Sequence, residues 1–365
     1  MSRSRSFRLS LLVCALVAIC VTGCAMVVTP AQSPLAGKSV TLPRAGVHGI
    51  APQGTAAPLG AGAATILNRP LASTGCNKPS PVRAGTTSLD GLVSGGRRRV
   101  YRVHVPLGYT PRVPVPLVLN FHGHGSNAAN QERMTGFSAL ADRYDFLVVY
   151  PQGVVGPDNR TGWNSGGPNK PGSNDVLFVS DLLTKMQSEF CVDPTRIYAT
   201  GFSNGGAMTS VLACALAGRI AAFASVSGSY YPLVGGCHPG RPVSVLEFHG
   251  TGDYTVPYVG RAVTDLMPVP NWLQGWVGRD ACASEPAIEA MAGHATLYTW
   301  TGCAGDAVVQ HYRISGWGHR WPALPATTAQ ERNDGGAPVA SVLIWNFFAA
   351  HPLPSAAEAA ESAAS

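Results

Sequence analysis

The sequence predicts an α/β fold in which a mostly parallel, doubly wound sheet forms one domain. Two observations predict it. Strand and helix patterns alternate along the chain, and several strands are near-continuous apolar runs ending in glycine. Such runs are typical of parallel strands that are buried on both faces. The chain has 365 residues, of which 45% are hydrophobic and 13% are charged, and this length suits one large α/β domain or two smaller ones.

The predicted elements follow one another in a regular order. Residues 98–106 alternate apolar and polar side chains, as a half-exposed strand does, whereas residues 115–123 and 146–153 are continuous apolar runs. Residues 174–190 carry apolar side chains at helical spacing. Further strands are predicted at 196–200, 221–229, 243–250, 295–300 and 308–314, and further helices at 207–217, 271–280 and 339–350. Ligands of such sheets bind beyond the carboxyl ends of the strands, so functional residues are sought there.

The N-terminus has the pattern of a signal peptide over residues 1–23. Three arginines precede the apolar stretch from Leu9 to Val21, which is short for a membrane span. The small residue before Cys24 completes a pattern that resembles a bacterial lipobox, in which Cys24 is lipidated and attaches the protein to a membrane. An ordinary secretory signal followed by release is the alternative. Both predict an extracellular protein, secreted or held at the cell surface.

Two further segments lack a sustained period. Residues 24–70 are rich in alanine, glycine, proline, valine and threonine, which predicts a flexible linker. Residues 351–365 are predicted to be a disordered tail. The predicted domain therefore covers residues 71–350.

The cysteine count indicates disulfides. Of nine cysteines, two fall in the predicted signal peptide and one is the predicted lipid site, which leaves six in an exported chain. Six cysteines allow 15 connectivities. The pairing that we favour is Cys282 with Cys303, Cys214 with Cys237, and Cys76 with Cys191. No Cys-x-x-Cys motif or Cys/His cluster in the sequence indicates zinc, and no cofactor is expected.

The charge gives no support for nucleic-acid binding. The formal net charge is +6, and removal of residues 1–23, which carry three arginines and no acidic residue, lowers it to +3. The sequence has no basic stripe. Nucleic acid is therefore not an expected partner.

Ser203 lies in the pentapeptide Gly201-Phe202-Ser203-Asn204-Gly205, between a predicted strand and a predicted helix. A G-x-S-x-G sequence at this place is typical of a sharp turn that lifts a nucleophilic serine clear of a sheet. The helix that follows would direct its N-terminus and the Asn204 amide at the reacting group. The same pentapeptide also occurs as a plain glycine turn, so the assignment depends on partners elsewhere in the chain.

A serine nucleophile needs a base, and the expected chain order on such a sheet is serine, acid, histidine. Asp253 follows the strand 243–250, and we favour it as the acid over Asp265, Asp280 and Asp306, which follow no strand end. His319 lies after the strand 308–314, in a loop with glycines at 316 and 318, and is the favoured base. The other histidines after Asp253 are His294, His311 and His351, of which His294 stays open.

The loop after the strand 115–123, with the sequence HGHGSNA, is the candidate for a second oxyanion donor. The amide of His124 or Gly125 would complete the oxyanion hole with that of Asn204. His122 and His124 also have the H-x-H spacing of metal ligands, but no acidic cluster follows in the sequence. No metal is therefore predicted, and the His122 side chain is expected to be structural.

Aromatic residues concentrate near these loops and form a second group of candidates. They could bind an acyl group, a sugar ring or a polyester, or they could pack in the core. Those predicted to contact substrate are Trp317, Trp321, Trp163 and Tyr254.

The sequence resembles the polyhydroxybutyrate depolymerase-like esterases, a group that includes feruloyl and acetylxylan esterases of the carbohydrate esterase 1 type. Four segments carry the resemblance: CVDPTRIYATGFSNGGAMT, HGTGDYTVPY, GWGHRWP and FHGHGSNA. The resemblance covers about residues 75–350. It implies an α/β-hydrolase fold with Ser203 as nucleophile, Asp253 as acid and His319 as base. The family often has Gly, Cys or Thr where His124 stands.

The resemblance implies a serine esterase whose partner is an ester substrate. Polyester oligomers are the first expectation, and phenolic or acetyl esters of plant cell-wall polysaccharides are the alternative. A non-catalytic surface lipoprotein that keeps the fold for binding is a second alternative.

Overall fold

A computed structural model of the chain describes residues 65–168, 170–322 and 339–354. The predicted signal peptide, the predicted lipid site Cys24 and most of the predicted linker and tail lie outside the described residues. Within the described part of the chain, no helix combines the length and the apolar character needed to cross a bilayer.

The strands are β1 (Thr86–Ser94), β2 (Arg97–Val105), β3 (Val115–Phe121), β4 (Leu147–Pro151), β5 (Val154–Val155), β6 (Thr161–Gly162), β7 (Val192–Phe202), β8 (Ala222–Val226), β9 (Ser244–Gly250), β10 (Ala287–Met291), β11 (Ala295–Trp300) and β12 (Val309–Ile314). Ten of them form one sheet in the order β1-β2-β4-β3-β7-β8-β9-β12-β11-β10, and β5 pairs with β6. The six strands from β4 to β12 in that order are parallel. Antiparallel strands extend both edges.

The helices are α1 (Ala128–Thr135), α2 (Phe137–Tyr144), α3 (Asp175–Glu189), α4 (Asn204–Ala215), α5 (Val269–Arg279) and α6 (Val339–Ala350). They cover both faces of the sheet. One hydrophobic cluster packs α3, α4 and α5 against one face, and a second packs α1, α2 and α6 against the other. The chain is therefore doubly wound, as the sequence predicts.

Burial on both faces explains why the central strands are continuous apolar runs in the sequence. All seven residues of β3 are buried. Leu117 and Leu119 belong to the cluster with α3, whereas Val118 between them belongs to the cluster with α6. Because successive side chains of a strand point to opposite faces, a strand covered on both faces needs apolar residues at every position.

Six elements had no counterpart in the prediction, namely β1, β5, β6, β10, α1 and α2. The edge strand β10 is exposed at four of its five positions, so its sequence lacks the buried apolar face by which a strand is predicted. β1 is likewise mostly half-buried or exposed and is joined to β2 by the turn at Gly95 and Gly96. α1 is short and polar, and it begins at an Asn127 cap whose side chain accepts from the Asn130 amide.

The structure pairs the six cysteines as predicted. The bridges are Cys76–Cys191, Cys214–Cys237 and Cys282–Cys303. The first fastens the segment before β1 to the start of β7, the second joins the end of α4 to the loop after β8, and the third joins the segments after α5 and β11. Each bridge closes a loop and so limits the entropy of the unfolded chain.

Candidate active site

The site lies where four parallel strands end at one edge of the sheet. Ser203 follows β7, and the loop of residues 122–125 follows β3, its neighbour in the sheet. Asp253 follows β9 and His319 follows β12, which are also neighbours. The fold thus brings four distant segments of the chain to the place where open α/β sheets bind ligands.

Ser203 forms a strained corner between β7 and α4. Its backbone has φ 56° and ψ −119°, a conformation that residues other than glycine rarely adopt. Such strain costs about 1–3 kcal/mol and persists only where the surroundings impose it. Here the Ser203 amide donates to Val226 O at 2.9 Å, and Ser203 O accepts from the Ala207 amide at 2.9 Å. The serine is therefore held in the geometry of a nucleophile elbow.

The two glycines of the pentapeptide are required by close backbone approach. A Cβ on Gly201 would collide with the Gly205 carbonyl, and a Cβ on Gly205 would collide with the Phe121 carbonyl. The turn from β7 into α4 thus presses directly against the end of β3. Because of this contact, the loop that follows β3 lies next to the serine.

Asp253 and His319 form a hydrogen-bonded pair. His319 Nδ1 lies 2.7 Å from Asp253 Oδ2, while Asp253 Oδ1 accepts from the amides of Thr255 at 2.9 Å and Val256 at 2.8 Å. Because the carboxylate accepts at Nδ1, that nitrogen carries the proton of the neutral ring, and Nε2 is left as the basic nitrogen. Burial acts to raise the pKa of Asp253, but the hydrogen bonds from His319 and Val256 hold the pKa below its ordinary value.

The ring of His319 packs against Phe202, the residue before Ser203, with centroids 4.7 Å apart. The other histidines considered lie elsewhere: His294 is exposed on a turn, His311 is buried in β12, and the His351 ring bonds to Phe347 O at the end of α6. The geometry therefore joins His319 to Asp253 and sets it beside the elbow.

The acid loop and the histidine loop are joined by backbone hydrogen bonds. The Thr251 amide donates to Ile314 O at 2.9 Å, and the Gly252 amide donates to Trp317 O at 3.0 Å. The Gly316 amide in turn donates to Thr251 Oγ1 at 2.9 Å. These contacts fix the two loops against each other, so the acid and the histidine are positioned as one unit.

The β3 loop supplies one oxyanion candidate rather than two. A Cβ on Gly123 would lie 3.3 Å from Ser203 Cβ, so this loop runs alongside the serine. The Gly125 amide donates to Thr161 O at 2.7 Å, so it is not free to bind an oxyanion. The prediction that Gly125 is an oxyanion donor is therefore wrong. The His124 amide remains the candidate from this loop. The Asn204 amide stands in the first turn of α4, where helix geometry supplies no carbonyl for it.

The side chains of His122 and His124 have separate partners. His122 is buried, accepts from the Gly153 amide at 2.9 Å and lies 2.8 Å from Gly123 O, and burial lowers its pKa to about 4. His124 Nε2 lies 2.7 Å from Asp158 Oδ2. His122 is therefore a structural residue. Among residues 65–168, 170–322 and 339–354, no cluster of three or more His, Cys, Asp or Glu side chains could hold a metal ion.

Two of the four predicted substrate contacts are packing residues instead. Trp163 is 0% exposed and donates from Nε1 to His122 O at 2.8 Å. Trp321 is buried and donates from Nε1 to Ser341 Oγ at 3.0 Å, which anchors α6. Neither indole offers a face to a ligand. Trp317, half-buried under the Arg320 guanidinium, and Tyr254, 89% exposed beside Asp253, stay as predictions.

The side chain of Asn204 has a structural role that the sequence did not predict. Asn204 Oδ1 accepts from the Trp163 amide at 2.7 Å, and Asn204 Nδ2 donates to Ser165 Oγ at 2.7 Å. The residue after the serine therefore also fastens the loop that follows β6 to the elbow. A polar residue beside the nucleophile was the available signal, but its partners are some 40 positions away in the chain.

Two ionisable residues inside β9 are further features that were not predicted from the sequence. Glu247 and His249 lie on a strand whose other residues are almost all apolar, and both are buried. Ionisable groups two positions apart in an apolar run share one face of a strand, and this was a readable signal.

Comparison with known proteins places the chain in a family. A sequence model described as "Esterase PHB depolymerase" matches residues 100–252. The putative esterase NocK of Nocardia uniformis subsp. tsuyamanensis is 32% identical over 269 residues, which cover 66% of this chain and 76% of that protein. The chain belongs to the esterase PHB depolymerase family.

The chain spans less than half the length of some curated relatives that it matches. Feruloyl esterase B of Piromyces equi is 32% identical over 228 residues, which are 60% of this chain but only 42% of that protein. Among solved structures, the acetyl xylan esterase from Aspergillus awamori superposes with a TM-score of 0.50 at 17% identity, covering 68% of this chain and 99% of that one. That likeness shows the α/β-hydrolase fold, in agreement with the prediction.

Proposed function

We propose that this member of the esterase PHB depolymerase family is an exported serine esterase that hydrolyses carboxylic esters through Ser203, His319 and Asp253. One observation carries the proposal: His319, bonded to Asp253 at 2.7 Å, packs against the residue that precedes the strained Ser203. Nucleophile, acid and base follow one another along the chain as Ser203, Asp253 and His319, which is the order expected on this fold.

The proposed reaction has two steps. Ser203 Oγ attacks the ester carbonyl carbon and passes its proton to His319 Nε2, while the carbonyl oxygen becomes an oxyanion held by the amides of Asn204 and His124. The tetrahedral intermediate collapses, and the alcohol leaves with the proton from His319. Water then gives a proton to His319 and attacks the acyl-enzyme, which releases the acid and restores Ser203.

Asp253 keeps its charge through both steps of this cycle. Its pKa lies below the ordinary value, and its carboxylate holds the ring of His319 with Nδ1 protonated. The carboxylate also stabilises the imidazolium that forms when His319 accepts the serine proton.

The preferred substrate class is a polyester of hydroxyalkanoic acids or its oligomers, because the matching family model carries the PHB depolymerase description. Phenolic or acetyl esters of plant polysaccharides are the second candidate, favoured by the 32% identity to Feruloyl esterase B. The three disulfides support export, because such bridges persist in oxidising compartments. Attachment through a lipid on Cys24 remains a prediction.

The test compares the purified protein with its Ser203→Ala variant on four substrates: p-nitrophenyl butyrate, hydroxybutyrate oligomers, methyl ferulate and acetylated xylan. We expect the wild type to hydrolyse p-nitrophenyl butyrate and the variant to lose about 10⁴-fold or more in kcat. The highest kcat/KM among the other three assigns the substrate class. Undiminished hydrolysis by a folded Ser203→Ala variant would overturn the proposed mechanism.

A further inference from the structure

Glu247 and His249 lie buried beneath the proposed triad. Glu247 is completely buried in β9, and His249 is buried two positions further along the same strand. Burying a charge is costly unless the charge is paired and hydrogen-bonded. The pair therefore needs an account that packing alone does not supply.

Both ring nitrogens of His249 face acceptors. His249 Nδ1 lies 2.9 Å from Glu247 Oε1, and His249 Nε2 lies 2.8 Å from Val256 O. A backbone carbonyl can only accept, so Nε2 carries a proton, and an ionised Glu247 requires a second proton on Nδ1. The contacts therefore describe an imidazolium paired with a carboxylate.

The pKa directions agree with that ion pair. Burial acts to lower the pKa of His249, but the charge and hydrogen bond of Glu247 raise it above its usual value overall. Burial acts to raise the pKa of Glu247, but His249 and His311 lower it overall.

His311 is a useful contrast because it contacts the same carboxylate. Its Nδ1 lies 2.7 Å from Glu247 Oε2, and its Nε2 lies 3.1 Å from the Tyr258 hydroxyl. Burial raises the pKa of Tyr258 to about 12, so that hydroxyl stays protonated and can donate to Nε2. A neutral ring with its proton on Nδ1 suits both contacts of His311. A neutral ring in His249 would instead have to accept a hydrogen bond at Nδ1 from a protonated Glu247 carboxyl.

Two tyrosines and one arginine also lie near the pair. The Tyr230 hydroxyl, from the loop after β8, donates to Ser225 Oγ at 2.7 Å and lies 3.4 Å from Glu247 Oε1. The ring of Tyr258 meets that of His249 edge-on, and the Arg313 guanidinium lies over the Tyr258 ring.

The charged ring of His249 reaches the triad acid. His249 Nε2 lies 3.6 Å from Asp253 Oδ2, the same oxygen that accepts from His319 Nδ1 at 2.7 Å. The backbone of Val256 joins the two groups, because its amide donates to Asp253 Oδ1 and its carbonyl accepts from His249 Nε2. Asp253 is thus held between one ring at the edge of the site and another in the core.

We propose that Glu247 and His249 form a buried positioning pair, in which the His249 imidazolium holds the Asp253 carboxylate ionised and turned toward His319. The inference rests on the proposed esterase function and deepens it. His249 touches no reacting atom, so it acts through Asp253. Glu247 keeps the ring charged.

The proposal has a consequence for pH dependence. A positive charge close to Asp253 Oδ2 opposes protonation of His319, so it extends activity to lower pH. Without that charge, the acidic limb of kcat/KM moves to higher pH. A purely structural role for the pair would change the amount of folded protein but not the position of the limb.

The test measures kcat/KM for p-nitrophenyl butyrate from pH 4 to 9 in the wild type, His249→Gln, Glu247→Gln, the double variant and His311→Gln. For His249→Gln we expect the acidic limb to move up by about one pH unit, the size expected for loss of one nearby charge. Glu247→Gln should move it in the same direction, and the double variant no further than His249→Gln. His311→Gln is the matched control, since it contacts Glu247 but not Asp253, and its limb should stay in place.

A second measurement does not require hydrolysis. Side-chain ¹⁵N NMR of the histidines in the wild-type protein should show His249 doubly protonated at pH 7, and the titration of His319 should move upward in His249→Gln. The double variant replaces the ion pair by two neutral amides. If His249→Gln does not fold, the same measurements are made on the double variant. A neutral His249 in the wild type, or unchanged limbs and titrations in all variants, would overturn the proposal. If the wild type shows no Ser203-dependent hydrolysis, the proposed function fails while the NMR still decides the charge of His249.

Discussion

Two imidazole rings meet the same carboxylate oxygen of Asp253, and they differ in what they leave free. His319 has one nitrogen bonded to Asp253, and its side chain is 16% exposed at the mouth of the site. His249 has both nitrogens engaged and is buried. A ring can exchange protons with a substrate only through an unengaged nitrogen that a ligand can approach. The comparison therefore separates a ring suited to proton transfer from a ring suited to holding charge.

The largest expected difference between the rings is in rate. His319→Gln should lower kcat/KM for p-nitrophenyl butyrate by about 10⁴-fold or more at pH 7.5, because the serine loses its base. His249→Gln should lower it by about tenfold, because only the orientation and charge of Asp253 change. Steady-state kinetics on both variants, with circular dichroism as the check on folding, measure the difference. Equal losses would remove the distinction between the two rings.

The next effect is on stability. Glu247→Ala leaves the His249 ring without its counter-charge, and breaking a buried pair in this way costs about 3–5 kcal/mol of unfolding free energy. Glu247→Gln should cost less, because the amide still bonds to a neutral ring. Urea unfolding of both variants at pH 7 is the measurement. A loss in Glu247→Ala no larger than in Glu247→Gln would show that the charge is not the source of the effect.

The pH dependence of stability distinguishes the buried ring further. The pKa of His249 is raised on folding, so its contribution is complete below the unfolded pKa of about 6.5 and is lost as the pH rises through the folded value. Glu247 and Asp253 act in the opposite sense, since their lowered pKa values stabilise the fold above about pH 4. Urea unfolding between pH 6 and 9 should show a decline in the wild type that is smaller in His249→Gln. Parallel curves would indicate that the ring is not charged in the folded protein.

The smallest effect is expected at Tyr258. Tyr258→Phe removes the hydroxyl at His311 Nε2 and should cost about 1 kcal/mol in unfolding free energy. The pH profile of hydrolysis should not change, because His311 does not contact Asp253. A shifted pH profile would show that Tyr258 also influences Asp253, in addition to Glu247 and His249.

The parts of the fold that could be predicted from the sequence are those with a local signature. β3, β4 and β9 are buried on both faces, so their apolar runs are unmistakable, and the glycines around Ser203 are required by backbone contacts within the turn itself. The chain order of Ser203, Asp253 and His319 after three strand ends then placed them at one edge of the sheet. The structure also contains the three disulfide pairs favoured from the sequence, although 15 connectivities were open.

The parts that could not be predicted depend on distant partners. Trp163 and Trp321 are typical ligand-binding residues by type, but tertiary packing buries them. The Gly125 amide is occupied by Thr161 O, a contact made only when the loop after β3 meets the β5–β6 hairpin. The positioning pair shows the same dependence, because the charge of His249 follows from Val256 O and Glu247 together. No single-residue property of the sequence reveals these contacts.

The central claim is that Ser203 is a nucleophile activated by His319. The most direct test is labelling of the folded protein with a fluorophosphonate, followed by mass spectrometry of its peptides, in the wild type, Ser203→Ala, His319→Gln and His249→Gln. We expect one adduct on Ser203 in the wild type, slower formation of the same adduct in His249→Gln, and none in Ser203→Ala or His319→Gln over the same time. An unlabelled Ser203 in the folded wild type, or an adduct that persists in Ser203→Ala, would show that Ser203 is not such a nucleophile.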